Sequence, residues 1–576
     1  MNTITRRQAL LAGLGLASTS ALAACGAKQP SPASTTPATW AIPTQTPLAT
    51  PAGATTVTHT LTPRPVTLDL GGVLAKTWAY TDELDGNVLR GKAGDLFRVT
   101  VDNQLPTATS VHWHGIALRN ASDGVPGVTQ DPIAAKSAFT YEFVAPHAGT
   151  YFFHPHSGVQ IDRGLYAPLV LDDPRDPGDH DAEWVLVLDD WTDGVGKSPD
   201  AIFADFKANS GPLSQGMNHD MGGMDHGSSP LGDAGDVSYP HYVVNGRIPA
   251  APRTLTARPG DKVRLRLINA GADTIFKVGL SGHRLTITHA DGFAVQPVEA
   301  TAIYLAMGER IDATVTVGDG VFVLQAAPEG KTGTPARAIV KTGAGSIPPA
   351  TTRIPELGGK AALGTALRAA DAAKLPDKEP EQTLEVQLNG QMKPYAWGIN
   401  GKKFGEDTPL SISPGQRVRM RMTNMTMMAH PMHIHGHTWS LPGSNGLRKD
   451  TVLVLPMQTI EADLQADNPG AWMLHCHNIY HAEIGMMTSL RYCPQPTPVR
   501  FPRHPGNRTA ACPHGADVLF HLRLQHDHEN DGQGLRSSAL WVARSHGPRS
   551  TSWDRDHLTQ GLQVGVTRLA GWVPGL

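Results

Sequence analysis

The densest chemistry in the chain falls in residues 472–487, WMLHCHNIYHAEIGMM. Three histidines (His475, His477, His481), a cysteine (Cys476) and a methionine (Met486) stand there within twelve positions. Trp472, Met473 and Leu474 lead in as a strand would, and on a strand successive side chains point to opposite faces. Cys476 then faces one way, and His475 and His477 the other, so one short peptide can serve a metal on each side. A cysteine thiolate, two imidazoles and a weak axial thioether form the ligand set of a blue-copper electron-transfer centre. His481 and Met486 are spaced to turn back onto Cys476. The second imidazole, and partners for His475 and His477, must come from elsewhere.

Three other places offer them: His112-Trp113-His114, His154-Pro155-His156, and His430-Pro431-Met432-His433-Ile434-His435-Gly436-His437. In an extended segment, period two puts both imidazoles of a His-x-His pair on one face. A chain with 26 histidines will hold such a pair by accident. Four pairs in extended contexts, one of them bracketing a cysteine, are a different matter. A structural zinc site closes four ligands around one ion, and these donors far exceed one ion's needs.

The elements that must position these donors read as β-strands. From about Val57, short alternating runs are divided by Gly, Asn, Asp and Pro turns, as in a sandwich. One unit occurs three times. Ala93-Gly94-Asp95-Leu96-Phe97-Arg98-Val99 matches Pro259-Gly260-Asp261-Lys262-Val263-Arg264-Leu265 and Pro414-Gly415-Gln416-Arg417-Val418-Arg419-Met420. Each is a glycine-led turn opening a strand, and each is soon followed by an asparagine: Asn103, Asn269 or Asn424. Repeats at domain-sized spacing predict three related β-sandwich domains, at 55–175, 180–345 and 380–495. The Ala- and Leu-rich stretch Leu357–Lys374 predicts a connecting helix.

The flanks are of another kind. Thr5-Arg6-Arg7-Gln8-Ala9-Leu10 and the apolar run after it form a twin-arginine export signal over residues 1–25. Leu22-Ala23-Ala24-Cys25 reads as a lipobox with a lipidated Cys25, or as an ordinary signal with an incidental cysteine. Residues 26–54, rich in Pro, Ser, Thr and Ala, read as a disordered linker, and 496–576 as an atypical, poorly ordered tail. The expected address is the cell envelope or periplasm, with a membrane contact only through that lipid. A net charge of −3 suggests no nucleic-acid partner. Four cysteines are no disulfide framework; Cys493 and Cys512 either pair or stay free.

On these motifs, residues 57–493 resemble the three-domain multicopper oxidases. Phrases such as VHWHGIALRN, LDDWTDGVGKSP and NGRIP are similar to the actinobacterial lipoprotein members. The resemblance implies three cupredoxin-like Greek-key domains and four copper ions. It implies that His430, Cys476 and His481, with Met486 axial, hold the blue type 1 copper. His112 and His433 would hold type 2, and His114, His154, His156, His435, His475 and His477 the type 3 pair. The second domain would be a spacer, and His437 structural. Asp123 stands where similar enzymes keep a proton-donating acid, though a turn residue before Gly124 would read the same. The second such acid, directly after the last type 1 histidine in many relatives, is here Ala482, with Glu483 one step later.

The Met/His-rich segment Met217-Asn218-His219-Asp220-Met221-Gly222-Gly223-Met224-Asp225-His226 reads as a soft-ligand site for substrate Cu(I), or as a flexible polar loop. Met428 is a further candidate, although the Asp that copper-efflux oxidases carry two residues earlier is here Thr426. The expected activity is a laccase-like and cuprous oxidase, taking electrons from Cu(I) or small phenols and passing them to O2 for copper tolerance. The competing expectation is a copper-sequestering surface lipoprotein with no significant turnover. A two-domain-type copper nitrite reductase relative is disfavoured by the complete ligand set.

Overall fold

Strands of three to eleven residues carry nearly all of the regular structure. The computed structural model describes residues 42–493, apart from 45, 85–87, 177, 214–228 and 234. Strand Leu96–Asp102 shows the local logic: Phe97, Val99 and Val101 are fully buried while Arg98 and Thr100 face outward. Period-two alternation puts one face on the core.

The strands form three sandwiches built on one rule. In the second, Ala182–Trp191 runs parallel to Lys262–Asn269, which pairs antiparallel with Arg310–Thr316. The third repeats this with Gln382–Met392, Arg417–Asn424 and Thr459–Gln465. The first does so with Thr56–Leu61, Leu96–Asp102 and Ala138–Val144. Opposing sheets of four, five and five strands close the three cores.

The repeated glycine and asparagine explain the recurrence. Gly94, Gly260 and Gly415 turn at φ 93°, 90° and 82°, a left-handed region that favours glycine. Each asparagine pins the far end of the strand so opened. Asn103 donates to the Thr107, Ile133 and Ala134 carbonyls and accepts from Leu105 N–H. Asn269 donates to Thr274 and Leu305 and accepts from Gly271; Asn424 donates to Met428 and Val454 and accepts from Thr426. All three are fully buried, and each satisfies carbonyls that would otherwise be stranded in a turn.

One expectation is corrected and one open reading is closed. The Leu357–Lys374 stretch is not a helix but three separate single turns, Pro355–Gly358, Gly364–Ala366 and Asp371–Ala373. Between them the chain is extended along the second sandwich, where Tyr304 N–H donates to Ala362 O and Gln296 N–H to Arg368 O. Edge pairing and the glycines at 358, 359 and 364 override the Ala/Leu helix propensity. Cys493, one of the cysteines the sequence leaves open, is disulfide-bonded. Cys25 and Cys512, the export signal, most of the 26–54 linker and the 496–576 tail lie outside the described residues. So do Met217, Met221 and Met224.

Candidate metal centre

Strand Ala471–Cys476 pairs with His430–Ile434 in a register that sets Cys476 opposite Met432 and His475 opposite His433. The strand stops at Cys476. Asn478 then caps helix Ile479–Ile484, its side-chain oxygen accepting from Tyr480 and His481 N–H. That turn brings His481 back toward the cysteine, an element sequence periodicity did not show. The Cys476 sulfur lies 3.7 Å from both His430 Nδ1 and His481 Nδ1. Cys476 N–H donates to Met486 O at 3.1 Å. All four side chains are fully buried.

The outer nitrogens of both imidazoles are held. His430 Nε2 meets Thr426 Oγ1 at 2.8 Å, and Thr426 in turn donates to Asn424 Oδ1. His481 Nε2 meets Asp236 Oδ2 at 2.9 Å, where Tyr395 O–H also donates. Trp397 stacks on the His481 ring at 4.0 Å. Such outer contacts fix the tautomer that offers Nδ1 to a metal. Burial alone would lower the His481 pKa, but the Asp236 carboxylate outweighs it and raises it to about 10. Asp236 belongs to the second sandwich and also lines a cavity of about 510 Å³ with Lys197, Asp205, Phe206 and Tyr239.

On the other side of Cys476 eight histidines form a cage. His112 Nε2 faces His433 Nε2 at 3.4 Å, with His114 also close. His114 groups with His154 and His477, and His156 with His435 and His475, each trio having donor atoms within 4.8 Å of one another. Rings from the first and third sandwiches stack in pairs, His112 on His435 and His114 on His433, both at 3.7 Å. Burial, then neighbouring imidazoles, hold His114, His154, His156, His435 and His477 well below the ordinary histidine range, and burial lowers His475 to about 3. These are neutral rings, the form that ligates.

The donor set fits copper. The Nδ1 atoms of His112, His154, His433 and His475 are tied to the carbonyls of Asp123, Pro155, Asp450 and Cys476 at 2.8–2.9 Å, which leaves Nε2 free. His114 Nδ1, His154 Nε2, His156 Nε2 and both His477 nitrogens are buried with no partner among the described residues. Orphaned buried polar atoms are rare, and here they all belong to the histidine cage. A soft thiolate beside two imidazoles suits copper on one side of Cys476, and imidazoles alone suit it on the other.

Asp123 joins the cage. Its carboxylate lies 2.9 Å from His435 Nδ1 and 3.3 Å from His112 Nδ1, and burial raises its pKa. It touches the outer edges of these rings, so it holds ligands rather than an ion. Glu483 does not join. The helix turns it toward Lys207 of helix Pro199–Ala208, and burial, partly offset by Lys207, pushes its pKa up to about 7. Ala482 packs against Val125, Met473 and Met487, so a methyl group occupies the side of the helix nearest the Asp123 loop. His437 is structural, bonded to Tyr492 O–H and the His435 carbonyl. Met428 is buried, its backbone bonded to Thr426 and Asn424. Sequence reasoning missed Asp236, Asp450 and Arg310. The signal for the last two is charge inside strand-like sequence, in Arg448-Lys449-Asp450-Thr451 and Glu309-Arg310-Ile311-Asp312.

Three segments match the multicopper oxidase family: residues 64–176, 182–345 and 377–496. The chain is 46% identical over 484 residues to the multicopper oxidase MmcO of Mycobacterium tuberculosis, covering 83% of this chain and 95% of that one. It is 28% identical to a copper resistance protein A homolog of Pseudomonas syringae, covering 85% and 100%. A solved multi-copper oxidase from Pseudomonas thermotolerans superposes with a TM-score of 0.58 at 28% identity, over 76% of this chain and 100% of that one. With its three cupredoxin-like sandwiches and its cysteine- and histidine-lined sites, the chain belongs to the multicopper oxidase family, copper-binding oxidoreductases.

Proposed function

We propose that the protein oxidises Cu(I) or small phenols one electron at a time at the His430–Cys476–His481–Met486 site. The electrons reduce O2 to water in the histidine cage, in the service of copper tolerance. The observation that carries this reading is the strand register: Cys476 faces one donor set while its bonded neighbours His475 and His477 face the other. Copper, when bound, supplies a one-electron acceptor at Cys476 and an oxygen-reducing cluster among the histidines. The peptide 475–477 gives electrons a bonded route between the two. Asp236, lining the cavity and bonded to His481, is where a donor meets the site. Its carboxylate is buried behind the cavity wall and already bonded to His481 and Tyr395, so it acts on an approaching donor as a fixed negative charge rather than by contact. Asp123, bonded to His435, is the cage's acid for oxygen reduction.

Copper counting with visible and EPR spectra tests the assignment: four coppers with a blue band support it, one or two overturn the cage. An oxygen electrode with Cu(I) separates an oxidase from a sequestering lipoprotein, since copper-loaded protein that consumes no oxygen would favour storage. In the same proposal, Met217, Met221 and Met224 collect Cu(I), supported by the copper-resistance relatives. Replacing all three should lower Cu(I) turnover more than phenol turnover, and equal loss would sink the role. Export by the twin-arginine route with a lipid on Cys25 completes the proposal. Cys25→Ala should then move the protein from the membrane to the soluble fraction.

A further inference from the structure

Among the described residues the second sandwich supplies no histidine to either site, yet it reaches the cage. Gly308, at φ 83°, lies so close that an added Cβ would sit 2.9 Å from the His477 ring and 3.0 Å from the His114 ring. Beside it, Arg310 is fully buried and makes a two-pronged ion pair with Asp450 of the third sandwich, at 2.7 and 2.6 Å. The remaining donors of Arg310 go to the Thr150 carbonyl of the first sandwich and the Gly308 carbonyl of the second. One guanidinium therefore joins all three sandwiches. Gly115, directly after His114, turns at φ 84°, and a Cβ there would meet Arg310 Nη2 at 2.4 Å and Asp450 Oδ2 at 2.6 Å.

Asp450 holds two cage histidines. Its carbonyl accepts from His433 Nδ1 at 2.9 Å, and its carboxylate lies 3.2 Å from His114 Nε2 and 3.4 Å from His433 Nδ1. Asp123 does the same in mirror fashion, with its carbonyl on His112 and its carboxylate on His435. Each aspartate grips a histidine of its own sandwich by the carbonyl and reaches across to the opposite sandwich by the carboxylate. The two clamps differ in one respect: only Asp450 is itself gripped by an arginine. Beneath it, Lys449 lies 2.9 Å from Asp291 and 3.1 Å from Glu309, and Asp291 accepts from the Arg310 and Thr451 backbone N–H groups. Replacing a buried ion pair by apolar side chains is often neutral or stabilising. Stability is therefore a poor reason for this one, and a geometric demand is a better one.

We propose that Arg310 is a positioning residue. By fixing Asp450 it holds His114 with Nε2 engaged and Nδ1 turned to the cage, and so sets the His114–His433 half of the copper cluster. The second sandwich then acts as a frame for that half rather than a spacer. The inference rests on the cage being the copper cluster.

The test compares full-length protein with Arg310→Lys, which keeps the charge but cannot make the two-pronged contact. A second variant, Arg310→Gln with Asp450→Asn, strands no buried charge and is read if the lysine variant does not fold. Each preparation is read for copper per protein, type 2 EPR signal, type 3 near-ultraviolet absorption and the visible cysteine–copper band. Copper retention in the cage should weaken about 10–100-fold, the usual effect of losing a partner behind a metal ligand, while the visible band stays unchanged. Unaltered type 2 and type 3 signals in the variants would overturn the positioning role. Their absence from the parent would overturn the cage assignment and this inference with it.

Discussion

Thr426→Val isolates a single hydrogen-bond acceptor behind the His430 ring. Valine matches threonine in shape, so no cavity opens. What goes is the oxygen that meets His430 Nε2 at 2.8 Å and Met428 N–H at 3.3 Å, in a pocket where His430 is fully buried. A buried donor left unmet costs roughly 1–3 kcal/mol. The shift in Tm per kcal/mol falls with size, to about 1 °C for a chain of this length, so the metal-free variant should melt about 1–3 °C below the parent. A second effect acts on the metal. With no acceptor at Nε2, the ring proton can sit on Nδ1, the atom 3.7 Å from the Cys476 sulfur, and copper retention there should fall about 10–100-fold. Scanning calorimetry of metal-free protein and titration of the visible band with copper read the two effects. Thr426→Ser keeps the oxygen and should restore both. A valine variant that melts with the parent and holds blue copper equally well would refute the reasoning.

Asp312, buried between Arg266 and Arg264, is held at about 2 because the two guanidiniums outweigh the burial that would raise it. Its folded pKa lies below the unfolded one. It therefore contributes about 2 kcal/mol above pH 4, lost as pH falls through 2, and Asp312→Asn should flatten that decline in urea midpoints; parallel declines would count against it. Gly308→Ala drives a methyl group against His114 and His477 from a left-handed backbone, so cage copper should be lost while the visible band persists; full copper content would contradict the close approach. Asp236→Ala removes the link between His481 and the cavity. Copper retention at this site should weaken about 10–100-fold, as for the Thr426 change, and reduction of the remaining visible band by phenols, per bound copper, should slow about tenfold or more; an unchanged rate per copper would place donor entry elsewhere.

The ligand histidines were legible because their spacing is covalent. Two residues on a strand share a face whatever the rest of the chain does, and one cysteine between two histidines must separate two faces. The repeated Gly and Asn were legible for a similar reason, since each acts within its own turn. What the sequence concealed is rotation and distance. Glu483 reads as one step from the expected acid, but one step on a helix is about 100° of rotation, enough to aim it at Lys207. Asp236, Arg310 and Asp450 become partners of His481 and His114 only through tertiary packing; charge inside strand-like sequence marks the last two as unusual, but nothing local names the rings they serve. Leu357–Lys374 went wrong because neighbouring strand edges decide its conformation.

The three buried asparagines bear on how the chain is made. Sandwiches built on one pairing rule invite a strand of one repeat to settle into another, a familiar hazard for tandem domains. The carbonyls that Asn103 grips lie 4–31 residues away, those of Asn269 5–36 and those of Asn424 4–30. Short loops close at little entropic cost, so each corner can lock while the next repeat is still on the ribosome. His112 and His433 meet across 321 residues. The corners are thus early, local checkpoints on each repeat, while the copper cage is a late one that only a complete chain can pass.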